Sequence, residues 1–296
     1  MGKFEKPREV AVGRTRAVDA RRSIGLDLSI VFATSDDAAR IGVSLKRVAA
    51  FLERSRISAE VLIVDDGSRD GVQQVVAQWA EHFDRLRLVR NDVRKGLGSA
   101  ARSGLLLAEG KQVLLAEVGL AAPVEDAIAL LDCLAAGADV AIASRKLNGA
   151  SVRSQRPAGR RAAEAVFGAA ARMLVPLGAR DLFCGLIAFK RDAARRIAER
   201  ARLERATFCV EWIALAARMG LQVIECPVRF SHNSDSKDSL SWTDFVRLDD
   251  LWKVRSLLNS VRAPMPQPQA KLLIETSFVR LDREALYSVR APVDGA

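Results

Sequence analysis

Histidine is nearly missing from this sequence: His82 and His232 are the whole complement, and they stand far apart. The four cysteines, Cys133, Cys184, Cys209 and Cys226, show no C-x-x-C spacing. A zinc site is therefore not expected, and free thiols in a reducing, cytoplasmic setting are the default. Aromatic residues make up only 5% of the chain, its charges are spread out, and it holds no recognised nucleic-acid module, so no nucleic-acid partner is expected. No apolar run approaches the roughly 20 residues that span a bilayer. The first 25 residues carry Lys3, Lys6, Arg8, Arg14, Arg16, Arg21 and Arg22 without an apolar stretch, which argues against both a signal peptide and a transmembrane segment.

What is present suits one large α/β domain. The chain has 296 residues, 49% of them apolar, enough for a substantial core. A net charge of +10 favours an anionic partner. Nucleic acid, anionic lipid and diphosphate-bearing substrates all satisfy that charge, so it selects none of them. Residues 1–25 read as a basic, mobile arm and residues 26–240 as the main domain. An amphipathic helix follows over 241–262, with Trp242, Phe245, Leu248, Leu251, Trp252 and Leu258 near one face. That stripe fits a core contact, an interface or a peripheral membrane contact. Ala263 to Pro268 form a proline-rich linker into a tail, 263–296, which holds one candidate strand at Lys271 to Ile274.

The main domain is organised around Val61 to Val64, a β-branched run that suits a strand buried on both faces of a parallel sheet. Asp65 and Asp66 follow at its carboxyl end, where open α/β sheets bind their ligands. Asp70 then stands as a candidate N-cap for a helix beginning near Gly71. Further strands are expected at Leu28 to Ala33, Leu86 to Val89, Lys111 to Ala116, Val140 to Ala143 and Val223 to Val228. Each is followed by chemistry at its carboxyl end. Asp36 and Asp37 follow the first, and Lys95-Gly96-Leu97-Gly98 with Arg102 follows Leu86 to Val89. That glycine-rich turn into a helix offers backbone and cations to a phosphate, although Arg102 lies deep enough in the helix to brace loop acids instead. Glu117 and Gly119 follow Lys111 to Ala116, and Arg145 follows Val140 to Ala143. Arg153, Arg156, Arg160 and Arg161 cluster in a Gly- and Ser-rich connection, either solvated or facing a phosphate or a membrane surface.

V-L-I-V-D-D-G-S-R-D-G resembles the nucleotide-sugar signature of family 2 glycosyltransferases, and later segments resemble their polyprenyl-phosphate branch, the dolichyl-phosphate glucosyl- and mannosyltransferases. The resemblance runs from Asp27 to Lys237 and implies a GT-A fold: a Rossmann-like, mostly parallel sheet with helices on both faces. It implies inverting transfer of a hexose from a UDP- or GDP-sugar to a polyprenyl phosphate or another acceptor. Asp36, Asp37, Asp65 and Asp66 would then lie beside base and ribose, and Lys95, Arg102, Arg145, His232, Ser236 and Lys237 beside phosphates. Asp181, in D-L-F-C-G-L, and Glu211, in T-F-C-V-E, are the acceptor-side acids. The family's Asp-x-Asp, which holds Mg²⁺ or Mn²⁺, reads Glu117-Val118-Gly119 here, and Glu117 alone keeps a carboxylate. Ser35 replaces a usual aromatic residue and Cys209 a usual aspartate. Three readings stay open: transfer with a depleted metal shell, diphosphate neutralised by Lys and Arg, or a repurposed scaffold that keeps nucleotide binding. The sequence sets no oligomeric state.

Overall fold

The computed structural model describes residues 7–12, 25–154, 158–175, 179–205, 207–231 and 248–261, all within the compact unit Met1–Pro264. In chain order the elements are β1 (Arg8–Val10), β2 (Leu28–Thr34), α1 (Ala38–Ser55), β3 (Ala59–Asp65), α2 (Val72–Gln78), β4 (Leu86–Arg90), α3 (Leu97–Leu107), β5 (Gln112–Ala116), α4 (Ala127–Ala135) and β6 (Val140–Ser144). Then come β7 (Ser151–Ser154), α5 (Ala158–Leu174), β8 (Leu186–Lys190), α6 (Arg191–Arg200), α7 (Phe208–Arg218), β9 (Val223–Pro227), β10 (Arg229–Ser231) and α8 (Leu248–Ser260).

An eight-stranded sheet runs in the order β1-β4-β3-β2-β5-β8-β6-β9. The four strands from β4 to β5 are mutually parallel. β8 runs against both β5 and β6, whereas β6 and β9 are parallel. β7 and β10 form a separate parallel pair. Strand alternation sorts the side chains into two cores. Ile30, Phe32, Val61 and Ile63 meet Ile41, Leu45 and Val48 of α1 on one face, while Val31, Leu62 and Val64 meet Ala101 and Leu105 of α3, with Trp212 of α7 in the same core. Helices thus cover both faces, and the central stretches of β2 and β3, Ile30 to Ala33 and Val61 to Val64, read as apolar runs because neither face meets water. α3 lies so close to β2 that a Cβ on Gly104 would overlap the Val31 Cγ1 methyl.

The expected mostly parallel α/β architecture is present, with local differences. β1 lies inside the stretch read as an arm, where it pairs antiparallel with β4 and itself forms the edge of the sheet. β8 escaped notice because it abuts α6 with no Gly or Pro between them. α5 begins at Ala158, four residues before the apolar periodicity becomes visible at Ala162. The tail and the first part of the 241–262 helix lie outside the described residues.

From β2 the chain steps through β3 and β4 on one side, then crosses to β5 on the other. The β2/β5 junction is therefore the topological switch point, where open α/β sheets leave a crevice. Thr34 pairs with Asp65, and Asp65 with Arg90, which brings three loop-bearing strand ends level.

Candidate functional site

Asp65 and Asp66 stand at the expected strand end, but both are fully buried and fully engaged. Asp65 accepts from Ser68 N at 2.9 Å and from Arg90 Nη1 at 2.7 Å. Asp66 accepts from Asn91 Nδ2 at 2.8 Å, Lys95 N at 2.9 Å and Gly96 N at 2.7 Å. Buried carboxylates need such partners, and here they come from the chain itself. Through these contacts the two acids, expected beside base and ribose, shape the loops around the crevice. Asp70 does not cap α2 either. Its Oδ2 accepts from Ala38 N at 2.7 Å, so it caps α1 from the neighbouring loop, and Gly71 at φ +88° precedes α2.

The charges that do face outward belong to Asp36, Asp37 and their partners. Asp36 accepts from Arg69 N at 2.7 Å and pairs with the Arg94 guanidinium. The Arg69 backbone N–H, followed by Arg94, holds the Asp36 carboxyl below its usual range. Asp37 is gripped by both arms of Arg40, with Nε at 2.6 Å from Oδ1. Across the switch point, the turn after β5 folds onto α1. Gly119 N donates to Ser44 Oγ at 2.8 Å, and Arg47 Nη1 donates to Gly119 O at 3.2 Å. A Cβ on Gly119 would lie 3.6 Å from Arg40 Nη1.

The metal position suggested by the family resemblance is poorly provided for in this turn. Gly119 has φ +97°, a backbone state that L side chains rarely adopt. Glu117 is the one carboxylate in the turn, and its side chain lies against Gly185. Among the described residues no group of three or more His, Cys, Asp and Glu side chains is placed to hold an ion. A hard divalent cation wants oxygen ligands, and the group facing Gly119 is a guanidinium. Burial, then the Glu117 carboxylate, pushes the Cys209 thiol up to about 12.

The glycine-rich turn is clasped by protein rather than open to a phosphate. Gly98 N donates to Glu204 O at 2.8 Å, as does Ser99 N at 3.4 Å, so these two first-turn amides of α3 are already satisfied. A Cβ on Gly98 would sit 2.6 Å from Leu203 O and 2.8 Å from Arg205 O. These glycines make room for another stretch of backbone. Glu211 holds that stretch: it is 1% exposed and accepts from Arg202 N at 2.8 Å and Leu203 N at 2.9 Å. Burial outweighs those two bonds and raises its carboxyl to about 7. Glu211, expected on the acceptor side, thus braces the loop over α3. Arg102 donates from Nε to Ala198 O at 2.6 Å, tying α3 to α6 rather than reaching a phosphate.

A second cluster forms at the end of β6. Arg145 donates to Asp181 Oδ2 from Nε and to Oδ1 from Nη2, each at 2.7 Å, and its guanidinium stacks 5.0 Å from the Phe230 ring centre. Burial alone would raise the Asp181 carboxyl, but Arg145 and the backbone N–H groups hold it below its usual range. Asp181 and Arg145, both expected on the acceptor side, therefore form one bidentate ion pair. Lys146, Arg172 and Arg180 line a shallow cleft beside this pair. The nearby Arg160 is buried and bonded to Glu164, so that arginine cluster is not wholly solvated.

Asp36, Asp37, Asp65, Asp66 and Lys95 are thus brought together at the β2–β4 edge. Arg145 and Asp181 form a distinct group, and Glu211 a third. His232, Ser236 and Lys237 lie outside the described residues. Sequence reasoning passed over Arg40, Arg90, Arg94 and Glu204. Arg40 had a signal, since it follows Asp37 by three residues on a helix.

The fold and part of the sequence recur in proteins of known activity. A dolichyl-phosphate beta-glucosyltransferase of Drosophila melanogaster is 28% identical over 268 residues, covering 84% of this chain and 81% of that protein. Another, of Trichomonas vaginalis, is 26% identical, covering 70% of this chain; the chain spans only 64% of that relative's length. The GT-A fold is shared with glucosyl-3-phosphoglycerate synthase from Mycobacterium tuberculosis, solved with Mn²⁺ and UDP-glucose, at a TM-score of 0.51 and 15% identity, covering 83% of this chain and 82% of that one. Residues 29–198, more than half of the chain, match the profile of glycosyl transferase family 2, and the chain belongs to that family.

Proposed function

We propose that the protein binds a nucleotide sugar at the β2/β5 switch point and transfers its hexose, with inversion, to a polyprenyl phosphate. The observation that carries this reading is the match to dolichyl-phosphate beta-glucosyltransferases along most of the chain, 84% of it in the fruit-fly case. The geometry supports it in kind. Asp65 and Asp66 fix two loops around the crevice, and Arg40, Arg94 and Lys95 bring positive charge to its edge. A phosphate acceptor is already an anion and needs little help from a general base, which suits a site whose acids are occupied in ion pairs and loop contacts.

No described helix is long and apolar enough to cross a membrane. A lipid acceptor would instead be met at the surface. Val166 and Met173 of α5 and Trp252 of α8 are exposed apolar side chains, and the exposed Arg161 and Arg172 add positive charge beside those on α5. Anionic bilayers attract such basic residues.

Incubation of the full chain with UDP- and GDP-hexoses and a phosphorylated polyprenol, read by mass spectrometry of the lipid product, tests the reading. Formation of a hexosyl phosphopolyprenol is expected. Nucleotide binding without any product, across both nucleotides and several sugars, would leave a binding scaffold in its place.

A further inference from the structure

Cys133 and Cys226 lie side by side where α4 packs on β9, and the proposed transfer uses neither. We propose that these thiols form a peroxide-sensitive pair that closes into a disulfide and fastens β9 to α4. The proposal is independent of the donor reading above.

Geometry carries the pairing. The two sulfurs stand 2.9 Å apart, although 93 positions separate them in the chain. A disulfide bond is about 2.05 Å long, so they have about 1 Å to travel. Cys226 Sγ also lies 3.9 Å from Ala129 O. Ala129 and Cys133 are one turn apart on α4, so the Cys226 side chain sits over a single turn of that helix. The junction is anchored close by. Asp126, just before α4, accepts from Arg229 N at 2.7 Å and from Arg229 Nε at 2.9 Å, at the start of β10.

The two thiols differ in access, and that difference sets their order of reaction. Cys226 is 4% exposed, whereas Cys133 is half-buried beside the exposed Asp132. The bond from Cys226 draws the Cys133 thiol below its ordinary value, against burial and the Asp132 charge. The same bond and burial push the Cys226 thiol up. Cys133 thus supplies the attacking thiolate and Cys226 resolves it. The Cys133 sulfur attacks one oxygen of hydrogen peroxide: an S–O bond forms, the O–O bond breaks, and the departing hydroxide takes up a proton to leave as water. The Cys226 sulfur then attacks the sulfenic sulfur of Cys133. The S–S bond forms, the S–O bond breaks, and the Cys226 proton leaves with that hydroxide as a second water. The dithiol gives up two electrons and the peroxide takes them. Asp132 and Glu225 directly precede the two cysteines, and their negative charge falls on the pair. That charge opposes an anionic disulfide as oxidant and leaves a neutral peroxide unhindered.

Closure has a structural consequence. Among the described residues β9 ends the sheet and pairs with β6 alone. A covalent tie to α4 gives that strand a second attachment, and it closes a long loop, which restricts the unfolded chain most.

Peptide mapping of the full chain tests this. Reduced protein is treated with hydrogen peroxide, unfolded, blocked with iodoacetamide without reductant, and digested for mass spectrometry. The expected product is a peptide pair joined through Cys133 and Cys226, with Cys184 and Cys209 alkylated as internal controls. The oxidised protein should melt about 5 °C or more above the reduced one, a gain that dithiothreitol reverses. Cys226→Ser should halt at the sulfenic acid, trapped on Cys133 by dimedone. The unaltered protein gives the mapping result without any variant. Alkylation of both Cys133 and Cys226 after peroxide, or their joining to other cysteines or to a second chain, overturns the proposal. A Cys133–Cys226 bond that leaves Tm unchanged overturns the fastening of β9. A folded Cys226→Ser that dimedone does not label on Cys133 overturns the order of attack.

Discussion

Replacing Glu211 by glutamine isolates a buried acid whose titration falls near neutrality. In the folded chain its carboxyl is raised from 4.5 to about 7, chiefly by burial. Between those values the folded protein holds a proton that the unfolded chain has released. Stability from this group is therefore greatest below about pH 4.5, declines as pH rises, and levels off above about pH 7. A shift of this size corresponds to about 3 kcal/mol across the window, at roughly 1.4 kcal/mol per pH unit. Glutamine cannot ionise, so that decline should vanish from Glu211→Gln. Its single oxygen still accepts from one of the Arg202 and Leu203 amides, at a roughly constant cost of about 1–3 kcal/mol for the other. Urea denaturation of both proteins near pH 5 and pH 8, at fixed ionic strength, measures the difference. The wild-type advantage should shrink by about 3 kcal/mol at the higher pH. Other carboxylates titrate alike in both proteins and cancel. Parallel stability curves for the two proteins would refute the claim that burial of Glu211 outweighs the two backbone N–H bonds and the nearby Arg102 and Arg202 charges.

Gly98→Ala drives a Cβ to 2.6 Å from Leu203 O, a backbone atom with little room to yield, and should cost about 2 kcal/mol or more, seen as a lower Tm. Gly104→Ala meets only the Val31 methyl, so Val31→Ala in the same chain should recover part of the loss; additive losses in a double-mutant cycle would contradict the packing described. Arg145→Met strands the Asp181 carboxylate, which is 1% exposed, and should destabilise the fold by about 3–5 kcal/mol in chemical denaturation, with Asp181→Asn added to it restoring much of that.

The sheet was legible because burial on both faces leaves a simple trace. Val61 to Val64 is uninterrupted apolar sequence, and both of its neighbours in the sheet are strands that the same pattern exposes. β8 left a weaker trace, since it runs straight into α6 and its antiparallel direction depends on partners distant in sequence. At the site, sequence placed the acids at the correct strand ends but not their partners. Asp66 meets Lys95 and Gly96 thirty residues on, and Gly98 meets Glu204 more than a hundred residues away. Only the folded chain reveals that these glycines admit backbone instead of phosphate. Asp70 shows the same limit: it lies next to the helix it appeared to cap, yet it caps one that begins 32 residues earlier.

The departures from the family pattern gain coherence when charge is followed through the crevice. A divalent ion requires acids that are not already spent in ion pairs and loop contacts, and in this crevice Asp36, Asp37, Asp65 and Asp66 are all so engaged. Gly119 and Cys209 stand where the family's acids are expected, and Glu117 lies within electrostatic reach of Cys209. An aspartate restored at 119 alone would begin 3.6 Å from Arg40 Nη1 and form an ion pair with it before any metal ion arrived. It would also have to adopt a backbone angle that side chains avoid. A metal site in this turn would therefore return only with changes at both positions 119 and 40.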